Sequence, residues 1–160
     1  MTAENIIKTL GLEPHPSEGG YFRRTYESDL NANIGNKKRR LLTSIYYMLT
    51  NNSPISYLHR NKSDIIHFYH QGSPVKYLIV KSSGEIEEAV LGPNIEKGER
   101  PQLVVTGGDW KASQLCSGSY CLISEAVSPG FEYDDNELAN TELIQRLYPS
   151  LKSRLEKFIK

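Results

Sequence analysis

An excess of charge of either sign is the first feature that this 160-residue sequence lacks. Nineteen Lys and Arg residues balance nineteen Asp and Glu residues, so the formal net charge is zero at neutral pH. A neutral balance gives no general attraction to a phosphate backbone or to an anionic lipid surface. We therefore expect neither a nucleic acid nor a membrane among the partners of the protein.

Cysteine and long apolar runs are scarce as well. Two Cys residues cannot build a disulfide-rich scaffold, and no apolar stretch approaches the roughly 18 residues that a membrane span needs. The stretch from Met1 to Ile7 is too polar for a secretory signal. These features predict a cytoplasmic protein with Cys116 and Cys121 as free thiols.

Tyrosine, in contrast, is abundant: there are ten Tyr residues against four Phe and one Trp. Tyrosine suits pleated sheets and polar pockets, where its ring packs and its hydroxyl group finds a partner. Hydrophobic residues make up 38% of the chain, which is enough to fill one core. We expect a single domain over residues 1–160, because no linker or repeat divides the sequence.

Strand patterns dominate from about residue 20 to about residue 130. Turn residues separate them, and no segment with helical periodicity interrupts them, which favours an antiparallel barrel or jelly roll over a parallel sheet. The nine predicted strands are Tyr21–Glu27, Leu41–Thr50, Ser56–Arg60, Asp64–Tyr69, Val75–Lys81, Ile86–Leu91, Gln102–Val105, Lys111–Cys116 and Tyr120–Val127.

Short helices are predicted at both ends. The first covers about residues 2–11, with Thr2 as its N-cap and Gly11 as its C-terminal stop. The C-terminal helices cover about residues 141–160 and are interrupted at Pro149. The basic run from Lys37 to Arg40 is interpreted as a solvated entry to the next strand.

Four stretches together carry a family resemblance: Glu18–Arg23, Ile45–Leu49 followed by Leu58–Arg60, Ser63–Tyr69 with Gly72, and Val127–Glu132. They resemble a cupin family of unassigned function, the fifth in the common numbering of cupin families. The resemblance implies a mainly β fold, the cupin double-stranded β-helix or jelly-roll barrel, with short terminal helices. It also implies a homodimer and a ligand-sized cavity inside the barrel.

The general cupin metal pattern can be aligned with this sequence. Its ligand positions fall on His59, Asn61, Ile65 and Lys111, and the family usually has an acidic residue where Ile65 stands. Isoleucine offers no lone pair, and an ammonium group repels a divalent cation. We therefore predict that the protein binds no metal and no other cofactor.

The predicted site consists of polar side chains on the inner wall of the barrel. If Ile65 faces the cavity, strand alternation places His67 and Tyr69 on the same inner face. His59 is expected to face the cavity, and the same alternation then places Tyr57 there as well. A single bulge would reverse such a parity. The expected ligand-binding residues are Arg23, Tyr57, Trp110, Lys111 and Glu132, with Arg23 and Glu132 at the mouth; Trp110 stacks on the ligand or packs in the core. Lys111 is expected to neutralise a carboxylate, a phosphate or an enolate.

The expected chemistry is proton transfer, because imidazole titrates near pH 6.5. His59 is the predicted base, His67 or Tyr69 its acid partner, and Glu132 or Asp134 the orienting acid. His15 and His70 lie near turns and are expected to be solvated.

The leading hypothesis is binding of a small polar ligand with metal-independent isomerisation or epimerisation of a sugar or sugar-nucleotide-like compound. Three alternatives stay open. They are a non-catalytic binding module or sensor, an oxygenase with a metal held by His59, His67 and Glu132, and a structural dimer with a filled cavity.

Overall fold

The computed structural model describes residues 1–160 and begins with a short helix. Helix α1 spans Ala3–Leu10, and the hydroxyl group of Thr2 accepts a hydrogen bond from the Asn5 amide at its start. Gly11 follows with a φ of 61°, a left-handed conformation that favours glycine. Both predicted ends of this helix are confirmed.

Thirteen strands follow. They are β1 (Glu13–Pro14), β2 (Tyr21–Glu27), β3 (Asn31–Ile34), β4 (Lys37–Arg40), β5 (Thr43–Thr50), β6 (Ile55–Asn61), β7 (Asp64–Gly72), β8 (Val75–Val80), β9 (Ile86–Leu91), β10 (Gln102–Val105), β11 (Trp110–Leu115), β12 (Tyr120–Ser128) and β13 (Asn136–Leu138). All nine predicted strands are present, and β2, β9 and β10 have the predicted bounds.

The strands form two facing antiparallel sheets, which is the predicted jelly-roll architecture. The six-stranded sheet has the order β1-β2-β5-β12-β7-β10, and the five-stranded sheet has the order β13-β6-β11-β8-β9. Strands β3 and β4 form a separate two-stranded ribbon. None of the helices is long and apolar enough to cross a bilayer.

Apolar side chains fill the space between the two sheets at one end of the barrel. This core contains Tyr47, Leu49, Val75, Tyr77, Ile79, Ala89, Leu91, Leu103, Val105, Leu115, Cys121 and Ile123. Burial of each large side chain stabilises the fold by about 1.5–3 kcal/mol. This end of the barrel is therefore filled by side chains.

The C-terminal segment covers the outer face of the five-stranded sheet. Helix α2 (Thr141–Leu147) is capped by Asn140, and α3 (Lys152–Leu155) follows it. The predicted interruption at Pro149 is present, and a 3-10 turn begins there. Ile144 and Leu155 are fully buried there against Leu58 and Trp110. The outer sheet face therefore has a core of its own.

Two elements differ from the sequence prediction. The basic run is strand β4, and its Arg39 is buried against Asp135 and the Gly130 carbonyl group, although a solvated segment is predicted there. Strand β13 was not predicted, because three residues are too few to show a period. It pairs with β6 and brings Asn136 beside Asn61.

Candidate functional site

Three charged or polar side chains meet inside the barrel just above the apolar core. His67 of β7 and Glu125 of β12 are direct cross-strand partners, and His67 Nδ1 lies 3.2 Å from Glu125 Oε1. Lys111 of β11 enters from the opposite sheet, with Nζ 3.2 Å from His67 Nε2 and 3.6 Å from Glu125 Oε1. The network assigns the His67 proton to Nδ1, because the Lys111 ammonium group can only donate to Nε2.

Burial and charge fix the protonation of this cluster. Burial, followed by the nearby Lys111 ammonium group, lowers the pKa of His67 to about 4. Burial by itself would raise the pKa of Glu125, but Lys111 and His67 outweigh it and hold that pKa well below its usual range. At neutral pH, Glu125 is therefore a carboxylate and His67 a neutral imidazole.

His59 of β6 is the second buried imidazole. Its Nδ1 lies 2.7 Å from the Tyr57 carbonyl oxygen, and because a carbonyl group only accepts, Nδ1 carries the proton. The remaining nitrogen, Nε2, has no hydrogen-bond partner, and its charged neighbour is Glu18 Oε2 at 3.4 Å. Burial lowers the pKa of His59, so that two acceptors face each other without a proton between them.

Glu18 belongs to the segment between β1 and β2, and its neighbours hold it firmly. The Asn136 amide donates to Glu18 Oε1, and Tyr47 donates to the Gly19 carbonyl oxygen at 2.7 Å. His15 accepts backbone hydrogen bonds at Nδ1, including one of 3.0 Å from the Glu18 amide. The His15 proton must then be on Nε2, which lies 3.7 Å from Glu18 Oε2.

A narrow cavity of about 40 Å³ opens at this end of the barrel. Its inner wall contains Glu18, His59, Asn61, Ile65 and Glu125, and its outer part contains His15, Phe22, Arg24, Ile45, Val127, Phe131 and Tyr133. His67 and Lys111 lie behind this wall and contact the cavity through Glu125. The space is smaller than the ~300 Å³ at which sites that enclose a whole ligand begin, so only one end of a larger molecule fits inside.

Arg24, and not Arg23, lies at the mouth. Phe22 and Arg24 line the cavity, and strand alternation turns Arg23 to the other face of β2, where it is exposed beside Gly11. Which of the two neighbouring arginines lines the cavity depends on which alternate residues of β2 face inward, and the sequence alone does not determine this.

Tyr57 is also outside the cavity, because β6 contains a bulge. His59 pairs with Lys111 but Ser56 pairs with Ser113, so three steps along β6 match two along β11. The extra residue places Ser56 and His59 on the inner face and turns Tyr57 away. Tyr57 is half-buried and contributes its carbonyl group to the site.

The remaining predicted site residues lie elsewhere. The Tyr69 hydroxyl group donates to the Gly72 carbonyl oxygen at 2.6 Å, toward the closed end of the barrel, and Tyr77 is the phenol beside His67, at 3.3 Å. Trp110 is fully buried on the outer sheet face, 4.6 Å from the Arg60 guanidinium carbon. Glu132 is exposed on a surface groove, where it cannot contact His59.

Sequence reasoning missed three residues of the site. Glu125 replaces Glu132 and Asp134 as the acid inside the barrel, Glu18 is the acid beside His59, and His15 contacts Glu18 although it is predicted to be solvated. The sequence does contain a signal for Glu125, because it is the single charged residue on the inner face of β12. Its neighbours on that face are Cys121, Ile123 and Val127. No comparable signal marks Glu18 or His15, which lie in a loop.

The residues at the cupin metal positions do not fit a metal ion. His59, Asn61 and Ile65 line the cavity, and Lys111 lies just behind it. Ile65 has no donor atom, and the Lys111 ammonium group occupies Nε2 of His67 and places a positive charge 3.6 Å from Glu125 Oε1. In residues 1–160, no group of three or more His, Cys, Asp or Glu side chains is arranged to hold a metal.

Comparisons with known proteins agree with this architecture. A family model described as "Cupin superfamily (DUF985)" matches residues 4–139. The uncharacterized protein YML079W of Saccharomyces cerevisiae is 36% identical over 154 residues, covering 87% of this chain and 76% of the yeast protein.

Solved structures show the same fold. A hypothetical protein from Leishmania major has a TM-score of 0.92 at 32% identity over 99% of both chains. Protein SO0799 from Shewanella oneidensis has a TM-score of 0.90 at 34% identity over 100% of this chain and 98% of its own. Oxalate decarboxylase from Bacillus subtilis has a TM-score of 0.59 at 15% identity, covering 92% of this chain and 37% of that chain, a likeness in fold alone.

Proposed function

Since the chain belongs to the cupin superfamily (DUF985), whose description names no reaction, we propose its function from the cavity itself. The protein binds the reactive end of a small polar carbonyl compound at the mouth of the barrel. It then transfers a proton between neighbouring carbon atoms without a metal ion. The activity is that of an isomerase, and the ligand is sugar-like.

The pairing of Glu18 with His59 is the observation that supports this proposal. A lone pair on Nε2 and a carboxylate oxygen lie 3.4 Å apart in a buried site, with no donor between them. A proton taken up there forms a hydrogen bond between the two atoms. Burial lowers the pKa of His59, and the Glu18 carboxylate partly offsets this effect. The pair is therefore a proton acceptor, with His15 and Asn136 holding Glu18 in place.

The proposed step is the breaking of a C–H bond next to the carbonyl group. Its electron pair forms the double bond of an enolate, whose negative charge moves to the carbonyl oxygen, and the proton is taken up between Glu18 and His59. Arg24 is the single cation among the lining residues, and its Nη1 is paired with Glu27 Oε2 at 2.7 Å; it stabilises the charge on this oxygen from the mouth. The substrate carries a hydroxyl group on the carbon that loses the proton. This hydroxyl proton passes to the former carbonyl oxygen within the enediolate, and return of the first proton to the former carbonyl carbon then forms the isomeric carbonyl compound and regenerates the pair.

A single base favours isomerisation over epimerisation. Epimerisation with two proton-transfer groups needs an acid on the opposite face of the substrate, and neither predicted acid is suitable. Tyr69 is directed to Gly72, while His67 is neutral behind Glu125. Glu125 is itself ionised and has no proton to donate. A one-base transfer along one face of the substrate needs only Glu18 and His59.

Exchange with solvent deuterium tests the reaction. The protein is incubated in D2O with glyceraldehyde, dihydroxyacetone and a series of aldoses and ketoses, and the C–H signal next to each carbonyl group is followed by proton NMR. We expect loss of that signal for at least one compound, and an exchange rate at least about a hundredfold lower in His59→Gln. Unchanged exchange in a folded His59→Gln protein contradicts the proposed role.

His70→Gln is the matched control for this experiment. His70 is exposed on the outer sheet face, where it lies 2.9 Å from the Ser124 hydroxyl oxygen. This variant loses an imidazole group without altering the cavity, so its exchange rate should equal that of the wild type. Glu18→Gln should lose activity as His59→Gln does.

A non-catalytic binding protein or sensor is the second candidate. Ile65 supports it, because an apolar side chain stands on the inner wall where the family usually has an acid. The small volume of the cavity supports it as well. Ligand binding without deuterium exchange in any compound would favour this candidate. The homodimer and the cytoplasmic location stay predictions that sedimentation and cell fractionation can test.

A further inference from the structure

Two acidic residues, Glu18 and Glu125, are among the residues that line the inner part of the cavity. A carboxylate group accepts hydrogen bonds and donates none. The only cation among the lining residues is Arg24, at the mouth. These charges restrict which ligand groups can enter the cavity, and the proposed reaction by itself does not give this restriction.

The donors nearest to these acceptors are already in use. The Lys111 ammonium group donates to His67 and lies against the side of Glu125, so it does not face the cavity. His15 Nε2 is directed toward Glu18. Lys111 therefore cannot neutralise a carboxylate or phosphate group of the ligand, which corrects the role predicted for it from the sequence.

Electrostatic repulsion by the carboxylates also excludes an anionic ligand group from the cavity. An anionic group inside a cavity of about 40 Å³ would contact two carboxylates at short range and find no free cation. Repulsion between like charges is strong where water is excluded. A neutral hydroxyl group, in contrast, donates a hydrogen bond to an acceptor and adds no charge.

From these contacts we propose that the inner cavity accepts the hydroxyl-bearing end of an α-hydroxycarbonyl compound and excludes anionic groups. This inference rests on the proposed ligand site but does not depend on catalysis. The hydroxyl groups donate to Glu18 or Glu125. Any negatively charged part of the molecule remains outside, beyond Arg24.

Three probes of equal carbon length test the specificity. Dihydroxyacetone is neutral, glycerate is an anion, and 2-amino-1,3-propanediol is a cation. Each is titrated into ¹⁵N-labelled protein, and the amide shifts of Gly19, Gly20 and Glu125 report binding. We expect dihydroxyacetone to bind at least about tenfold more tightly than glycerate. The proposal is overturned if glycerate binds as tightly as dihydroxyacetone, if glycerate binds more tightly than the amine, or if no probe shifts these amides.

Glu18→Gln tests the charge argument directly, because it removes one negative charge and keeps the shape of the side chain. The preference against glycerate should fall at least about threefold in this variant and remain unchanged in Asp134→Asn, whose exposed carboxylate lies outside the cavity. An unchanged preference in folded Glu18→Gln overturns the charge argument. Binding of dihydroxyacetone without deuterium exchange contradicts the reaction alone, whereas exchange on a substrate with an anionic reactive end contradicts this specificity alone.

Discussion

His67 and Glu125 face each other across two neighbouring antiparallel strands, with Nδ1 and Oε1 3.2 Å apart inside the barrel. Such a pair would be costly to bury without a third partner, because Glu125 carries a full charge. Lys111 supplies the opposite charge from the other sheet, 3.6 Å from the carboxylate. The two sheets are thus joined at this level by an ion pair and a hydrogen bond.

Replacement of Lys111 should destabilise the protein strongly. Lys111→Met leaves Glu125 buried without its cation, and we expect the free energy of unfolding to fall by about 3 kcal/mol. Urea unfolding followed by circular dichroism measures this loss. The double variant Lys111→Met, Glu125→Gln should recover part of it. Lys76→Met is the control, because the Lys76 side chain is half-exposed and its ion pair contributes less than about 1 kcal/mol. A similar loss in both single variants would contradict the prediction.

Stability should fall in mild acid because His67 is buried in its neutral form. Its pKa is about 4 in the folded protein, against an ordinary value of 6.5, so the unfolded chain binds more protons between these two values. The stabilisation is complete above pH 6.5 and is lost progressively down to pH 4, by about 3 kcal/mol. Chemical unfolding at a series of pH values measures how steeply the free energy of unfolding changes with pH. This dependence should be shallower in His67→Gln and unchanged in His70→Gln. An equal dependence in all three proteins would be evidence against assigning the loss of stability to His67.

Gly20 should not tolerate a side chain. Its φ is 71°, and an added Cβ atom would lie 2.6 Å from the Tyr47 hydroxyl oxygen and 2.8 Å from the Met48 carbonyl oxygen. We expect Gly20→Ala to lower the free energy of unfolding by about 3 kcal/mol and to displace the segment that carries Glu18. Gly35→Ala is matched in backbone conformation, with a φ of 57° and no atom within 4 Å. It should cost only about 1 kcal/mol, and equal losses would disprove the steric argument.

The two cysteines should differ widely in reactivity. Both are free thiols; Cys116 is exposed, whereas Cys121 is buried and burial raises its pKa to about 12. Because the thiolate is the reactive form, iodoacetamide should modify Cys116 and leave Cys121 unmodified in the folded protein. Mass spectrometry of the native protein should show one alkyl group, and two after denaturation. Rapid double modification of the native protein would contradict the buried position of Cys121.

The order of strands could be predicted because alternation and turn residues are local signals. Strands β2, β9 and β10 have the predicted bounds, and the terminal helices begin or break at Thr2, Gly11 and Pro149 as expected. The resemblance to cupins is confirmed by the family match and supplied the arrangement of the strands. The basic run Lys37–Arg40 is predicted to be solvated because Asp135, the acid that pairs with the buried Arg39, is almost a hundred positions away in the sequence.

The candidate site shows the limit of local signals. Alternation places His67 on the inner face correctly, because β7 is regular between Ile65 and His67. It fails for Tyr57, where one extra residue in β6 reverses the parity. Arg24 replaces Arg23 for a similar reason, since neighbouring residues of a strand face opposite sides.

By itself, the sequence determined the strand segments, the terminal caps and the lack of metal ligands at the cupin positions, because each of these depends on residue type and close spacing. Only the tertiary structure decided which acids accompany the histidines. Glu18 and Glu125 come from distant parts of the chain, and the distance from His59 to Glu18 or from His67 to Glu125 is set by sheet pairing and loop packing. Proton affinity inside a barrel depends on those distances and on burial, which exist only after the chain has folded.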